Sequence, residues 1–258
     1  MKMESYNNNM KTIKEGRTIP LKLPINIESG KKHAEGGESE VWEVHTKSGE
    51  GANADHIVLK ISKDESFATD EEMQKAEDFY KFLKNFPGFG KFVPDTIYFK
   101  AQETEEDGPK AFCIQQFKIG ERIDRLKDDV IYKDPEVIRQ LLELANASIE
   151  IIHTVRENDG QYPDFMRTPE FNRDVRVMIG ATVFNPRYSS NILITDKPDK
   201  SGQRVWFVDA GINANARRQK GWEWKRRHTV NSVVEKQFNI WKRKLEGILA
   251  IKNNPESK

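Results

Sequence analysis

Two periodicities divide the chain. In the first half, apolar residues come in short runs of strand length. Val41-Trp42-Glu43-Val44 alternates, and His-Ile-Val-Leu-Lys-Ile at 56–61 follows a loop rich in Gly, Ala, Asn and Asp at 48–55. These runs predict an antiparallel hairpin. A helix is predicted over 69–84, where Met73, Ala76, Phe79, Tyr80 and Leu83 recur at helical spacing. Asp70, Glu71 and Glu72 suit its first turn, and Asn-Phe-Pro-Gly-Phe-Gly at 85–90 stops it. A second strand pair is predicted at 96–100 and 111–117 around Asp107-Gly108, and Gly120 closes the segment.

The second half is helical in period. Residues 136–155 carry a broad apolar face of Leu141, Leu142, Leu144, Ala145, Ile149, Ile152 and Val155, after Asp134 at an N-cap position and Pro135 at the first helical position. A long irregular stretch covers 157–187. Short strands at 191–194 and 205–208 flank a polar turn at 196–202, and a last amphipathic helix is predicted over 230–251. The order is strand-rich, then helix-rich. It predicts an α+β class, with a polar arm at 1–22, a β-rich part at 23–120, a helical part at 121–251 and a polar tail at 252–258.

Composition narrows the function classes. The 258 residues include 42 Lys+Arg and 41 Asp+Glu, a formal net charge of +1, which argues against a nucleic-acid coat protein. The single cysteine, Cys113, excludes an internal disulfide framework and a cysteine-only zinc site. With no long apolar run and no apolar core at the amino terminus, the expectation is a cytoplasmic chain without a membrane partner. The five histidines show no metal-ligand spacing; His153 reads as a packed or helix-end residue.

Chemistry concentrates in four places. Ala-Glu-Gly-Gly-Glu-Ser-Glu-Val-Trp at 34–42 puts small residues before a strand, where backbone N–H groups can approach phosphate. Lys60 interrupts an apolar strand and must place its ammonium somewhere polar, at a solvated edge or in a site. Asn191 begins the strand Asn-Ile-Leu-Ile, and Asp209 ends Val-Trp-Phe-Val-Asp; an amide and a carboxylate at adjoining hairpin ends offer hard oxygens to Mg²⁺. Last, Arg217, Arg218, Lys220, Lys225, Arg226 and Arg227 surround Trp222 and Trp224, a local balance of +5 once Glu223 is counted.

The order of these features resembles the protein-kinase-like superfamily, which includes protein kinases and choline- and aminoglycoside-type small-molecule kinases. The resemblance covers residues 34–214. Gly36, Gly37, Ser39 and Val41 stand in for the glycine-rich loop, Ile-Val-Leu-Lys at 57–60 for the lysine strand, and Glu72 or Glu77 for the glutamate that pairs with the lysine. Cys-Ile-Gln-Gln-Phe-Lys-Ile-Gly at 113–120, with Gln116 and Phe117, looks like the hinge that holds adenine by backbone groups. Asn-Ile-Leu-Ile and Val-Asp-Ala-Gly look like the family's asparagine and metal-binding aspartate motifs. The resemblance implies a two-lobed fold with a β-rich N-lobe and a shortened helical C-lobe, and ATP bound between them. It further implies Lys60 on the α- and β-phosphates and Mg²⁺ on Asn191 and Asp209.

Two departures shape the functional expectation. The family's catalytic aspartate lies five positions before the asparagine, where this chain has Pro186. Asp164 and Asp174 are the replacement candidates. After Gly211 only 47 residues remain, with no Ala-Pro-Glu motif, so the acceptor site must be built differently. The expected activity is an atypical ATP- and Mg²⁺-dependent phosphotransferase whose anionic or phosphorylated acceptor docks near Arg217, Arg218, Lys220, Arg226 and Arg227. The alternatives are a pseudokinase that binds nucleotide without transfer, and a nucleic-acid or protein-binding domain using residues 217–228.

Overall fold

A computed structural model of the chain describes residues 12–13, 17–18, 27–35, 39–46, 56–62, 70–101, 110–116, 118–157, 186–189, 191–208 and 222–253. The fold class is α+β. The chain divides into two compact units, Met1–Asp78 with Pro94–Phe117, and Phe79–Val93 with Lys118–Lys258. Among the described residues no helix is long and apolar enough to cross a membrane.

The first unit is built on five strands. They are β1 (Ile27–Glu35), β2 (Ser39–Thr46), β3 (His56–Ser62), β4 (Thr96–Ala101) and β5 (Lys110–Gln116). Every pairing is antiparallel and the sheet order is β1-β2-β3-β5-β4. The two predicted hairpins are present, and β3 pairing with β5 fuses them into one sheet. Strand β1 was not anticipated: its Gly, Lys and His residues carry little apolar alternation, so only pairing with β2 marks it as a strand. One face of the sheet holds the core, with Trp42, Val44, Leu59, Ile61, Phe112 and Ile114 buried together. Phe99 stacks on Phe112 at 5.4 Å between ring centroids. Ahead of the sheet, Thr12–Ile13 pairs with Arg17–Thr18 inside the stretch expected as a polar arm.

Helix α1 (Asp70–Asn85) is one residue off its predicted bounds at each end. It stops where Gly90 N–H donates to the Phe86 carbonyl at 3.0 Å. A Cβ on Gly90 would lie 1.8 Å from the Lys84 carbonyl oxygen, so the chain after the helix turns back closely enough to require glycine there.

In the second unit, β6 (Gly120–Arg122), β7 (Ile192–Thr195) and β8 (Val205–Phe207) form an antiparallel sheet with β7 central. Gly120 opens β6 rather than ending a segment. The remaining elements are a single turn of helix, α2 (Asp128–Ile131), then α3 (Pro135–Glu157) and α4 (Trp222–Asn253). Asp134 caps α3 as anticipated, its carboxylate accepting the Glu136 N–H at 2.8 Å. Helix α4 starts eight residues before its predicted start at Val230. The basic residues that hid its apolar period, Lys225, Arg226 and Arg227, lie in its first turns. Its buried column, Val234, Phe238, Trp241 and Leu245, faces α3.

The α3–α4 contact carries a polar clamp. Glu235 accepts from Arg156 at 2.6 Å and bonds His153 Nε2 at 2.7 Å. Burial alone would raise the Glu235 carboxyl, but the hydrogen bonds from His153 and Arg156 outweigh it and hold the group below its ordinary 4.5. A depressed carboxylate stabilises the fold above its unfolded value, and the contribution disappears as pH falls through the folded value. Glu235→Gln is therefore expected to cost about 1 kcal/mol at pH 7, discounted for partly exposed partners. In urea unfolding measured from pH 7 to pH 3, the gap between variant and parent should close below pH 4.5.

Two glycines of this unit differ in what they require. A Cβ on Gly120 would sit 2.3 Å from the Ile194 carbonyl oxygen, which belongs to the neighbouring strand and cannot yield. Gly202 has φ +85° but open space around it. Gly120→Ala is expected to cost about 2–3 kcal/mol by overpacking. Gly202→Ala should cost only about 1 kcal/mol, for the left-handed backbone. Paired urea titrations check the order, and equal losses would contradict it.

Candidate functional site

Lys60 lies on β3, which has neighbours on both sides, so it is not an edge lysine. Strand alternation puts it on the face opposite the core residues Leu59 and Ile61. Register then defines a row across four strands: Val41 opposite Lys60, Lys60 opposite Cys113, and Cys113 opposite Tyr98. All four are half-buried. The next row on that face is Glu43, Val58, Gln115 and Thr96. Gln115 is buried and donates to the Thr96 hydroxyl at 3.1 Å, whereas Gln116, the predicted hinge residue, is exposed at the strand end. Its N–H donates to the Asp95 carbonyl at 2.9 Å. Gln115 was missed because two adjacent glutamines are equivalent until strand parity assigns a face to each.

The carboxylate of Glu40 raises a charge question, since it stands next to Val41. The same alternation answers it. Glu40 shares the core face with Trp42, accepting from the indole N–H at 3.3 Å and from Lys32 Nζ at 3.4 Å. The negative charge is thus on the opposite side of the sheet from Lys60, with a cation beside it.

Of the two candidate glutamates, Glu77 lies in the half-buried column of α1 with Met73, Tyr80 and Lys84. Glu72 is placed only as a helix position, and Ser39 only as the first residue of β2.

In the second unit, Asn191 is buried immediately before β7. Its N–H donates to the Ser189 hydroxyl at 3.2 Å, and its carbonyl accepts the Val208 N–H at 2.9 Å. The Asn-Ile-Leu-Ile and Val-Trp-Phe-Val segments therefore run side by side in register, Ile192 opposite Phe207. Asp209 follows Val208 directly and lies outside the described residues. So do Gly36, Gly37, Phe117, Asp164, Asp174, Arg217, Arg218 and Lys220, while Arg226 and Arg227 are placed only as positions of α4. Pro186, at the position of the missing carboxylate, is buried and opens a 3-10 turn, its carbonyl accepting the Ser189 N–H at 3.1 Å.

The donor chemistry at this hairpin suits a hard cation: an amide oxygen on Asn191 and a carboxylate on Asp209 are oxygen ligands of the kind Mg²⁺ takes. Among the described residues no group of three or more His, Cys, Asp or Glu side chains forms a metal cluster.

One further cluster had no signal in the sequence. The Lys118 ammonium sits 3.5 Å from the Trp206 ring centroid and 3.7 Å from Asp199, with 8% of its side chain exposed. Burial raises Asp199, yet bonds from the Ser201 hydroxyl and the Gln203 and Ser201 N–H groups, with Lys118 nearby, hold it below its usual range. Trp206 lies directly opposite Leu193, on the face of β7–β8 away from the buried Val205 and Phe207. No protein-family model matches the chain, and no curated protein matches it.

Proposed function

We propose that this chain is an atypical protein-kinase-like protein that binds ATP with Mg²⁺ and transfers its terminal phosphoryl group. The observation that carries this reading is the Val208 N–H to Asn191 carbonyl bond, which sets the two hairpin ends bearing the asparagine and aspartate motifs side by side. The central, half-buried place of Lys60, in a row with Val41, supports it from the other unit.

In this reading Lys60 holds the α- and β-phosphates as a point charge, and Val41 and Val58 offer apolar surface beside it. Asn191 and Asp209 hold the cation. Bound Mg²⁺ neutralises charge on the phosphate oxygens. The work asked of the protein is positioning and charge stabilisation, which tolerates an unusual base better than acyl chemistry does. Asp164 is the base candidate, with Asp174 the second choice. The acceptor is anionic or phosphorylated and docks on the basic Trp-containing segment 217–228.

Pro186 supports a second reading. A proline buried in a tight turn supplies no proton acceptor at the family position, which fits a pseudokinase that keeps nucleotide binding alone.

Thermal unfolding with Mg·ATP tests the shared part. At a hundredfold excess over the dissociation constant, mass action adds about 2.7 kcal/mol, a shift of several degrees in a chain of this size. The shift should vanish in Asp209→Ala and Lys60→Met; an unshifted parent sinks both readings. Labelled ATP then separates them. Transfer lost in Asp164→Asn and kept in Asp174→Asn assigns the base, and binding without transfer to any anionic acceptor favours the pseudokinase.

A further inference from the structure

We propose that Arg187 is a positioning residue for Asn191, holding the turn that presents this side chain to the cation; the proposal rests on reading Asn191 as a Mg²⁺ ligand. Arg187 is 5% exposed although it carries a permanent charge. Its Nε donates to the Asp128 carboxylate at 2.6 Å, and its two terminal nitrogens donate to the carbonyls of Ile123 and Leu126. The Ile123 N–H in turn donates to the Ile192 carbonyl at 2.8 Å. One guanidinium therefore locks the 3-10 turn at Pro186–Tyr188 to the segment that leads out of β6, and that segment to the residue after Asn191.

The bonds downstream complete the hold. Ser189, two residues after Arg187, accepts the Asn191 N–H, and Val208 donates to the Asn191 carbonyl. Both backbone groups of Asn191 are thus held, which fixes the point on the turn from which its side chain projects. An uncompensated guanidinium here would be costly and would repel a cation nearby. Asp128 compensates it, and Lys244 of α4 steadies Asp128 at 3.2 Å. The Arg187 hydrogen bond, with help from Lys244, holds the Asp128 carboxyl below its ordinary value and so keeps it charged. A turn that needed only packing would be served by an apolar side chain of the same length. A buried fork reaching one carboxylate and two carbonyls fixes direction as well.

The test uses the full chain, with Mn²⁺ as the probe for the cation and a non-hydrolysable ATP analogue as the nucleotide. Groups that orient metal ligands typically change metal affinity 10–100-fold when removed. Arg187→Met should raise the Mn²⁺ half-saturation about tenfold or more and speed hydrogen exchange at the Val208 amide. Nucleotide affinity without metal should stay within about twofold. Arg187→Lys, which keeps the charge and a single donor direction, should fall between parent and Arg187→Met; it also provides the measurement if Arg187→Met does not fold. Unchanged Mn²⁺ half-saturation in the folded variants overturns the positioning role. Asn191→Ala separates the two levels: if it weakens Mn²⁺ binding and the Arg187 variants do not, only the present proposal falls. If Asn191→Ala itself leaves Mn²⁺ binding intact, the metal reading fails and takes this one with it.

Discussion

The hairpin that carries Asn191 depends on one buried amide. Gln140, on α3, accepts from the Arg204 and Val205 N–H groups at 2.8 and 3.1 Å through its oxygen. Its nitrogen donates to the Gly202 carbonyl at 2.9 Å and to Glu136 at 3.1 Å. A glutamine side chain has two donors and two acceptor positions, and all four are used. Replacing it with an apolar residue would leave three backbone groups unpaired at the base of β8, a larger penalty than the loss of one bond. Asp134 reinforces the arrangement, capping α3 with one oxygen while the other accepts from Arg204 at 2.6 Å. Helix start and hairpin turn are thus fixed together, and everything carried at the hairpin's open end inherits that position.

The sheet of the first unit solves a different problem, that of keeping unlike chemistries apart on a thin layer. Strand alternation separates an apolar face, with Glu40 and Lys32 paired beside Trp42, from a mixed face that carries Lys60, Cys113 and Gln115. A shift of register by one residue would exchange the two sets. The burial of Trp42, Leu59 and Phe112 is therefore what keeps Lys60 on its own face, so the core fixes that face although it forms no part of it.

Elements with strong local signals were legible in the sequence: α1 and α3, the six strands on either side of the three predicted turns, and the cap at Asp134. Those missed lack a local signal. The three-residue β6 takes its form from β7, a partner distant in the chain, while β1 pairs with its chain neighbour β2 but carries little apolar alternation. The start of α4 is masked by charge, because Lys, Arg and Trp interrupt the apolar column that marks its later turns. Of the candidate site, residue types and order are visible in the sequence, since Lys60, Asn191 and Pro186 stand out by chemistry alone. The supporting residues are not. Arg187, Gln140 and Lys118 are ordinary polar residues in sequence, and only their burial and partners 60 or more residues away, as in Arg187 with Ile123 and Gln140 with Gly202, distinguish them; Ser189 is marked only by its burial in the turn before Asn191.

Helix α4 has 32 residues, which at 1.5 Å per residue makes a rod of about 48 Å. Lys244, which steadies Asp128, is separated from the basic residues of the first turns by about five turns of continuous helix. Helices of this length curve gently, with a radius of roughly 60–100 Å. From Val234 to Leu245 the helix is seated by its buried column, so the Lys244–Asp128 contact belongs to the packed stretch, and the basic turns lie ahead of it on the same continuous rod.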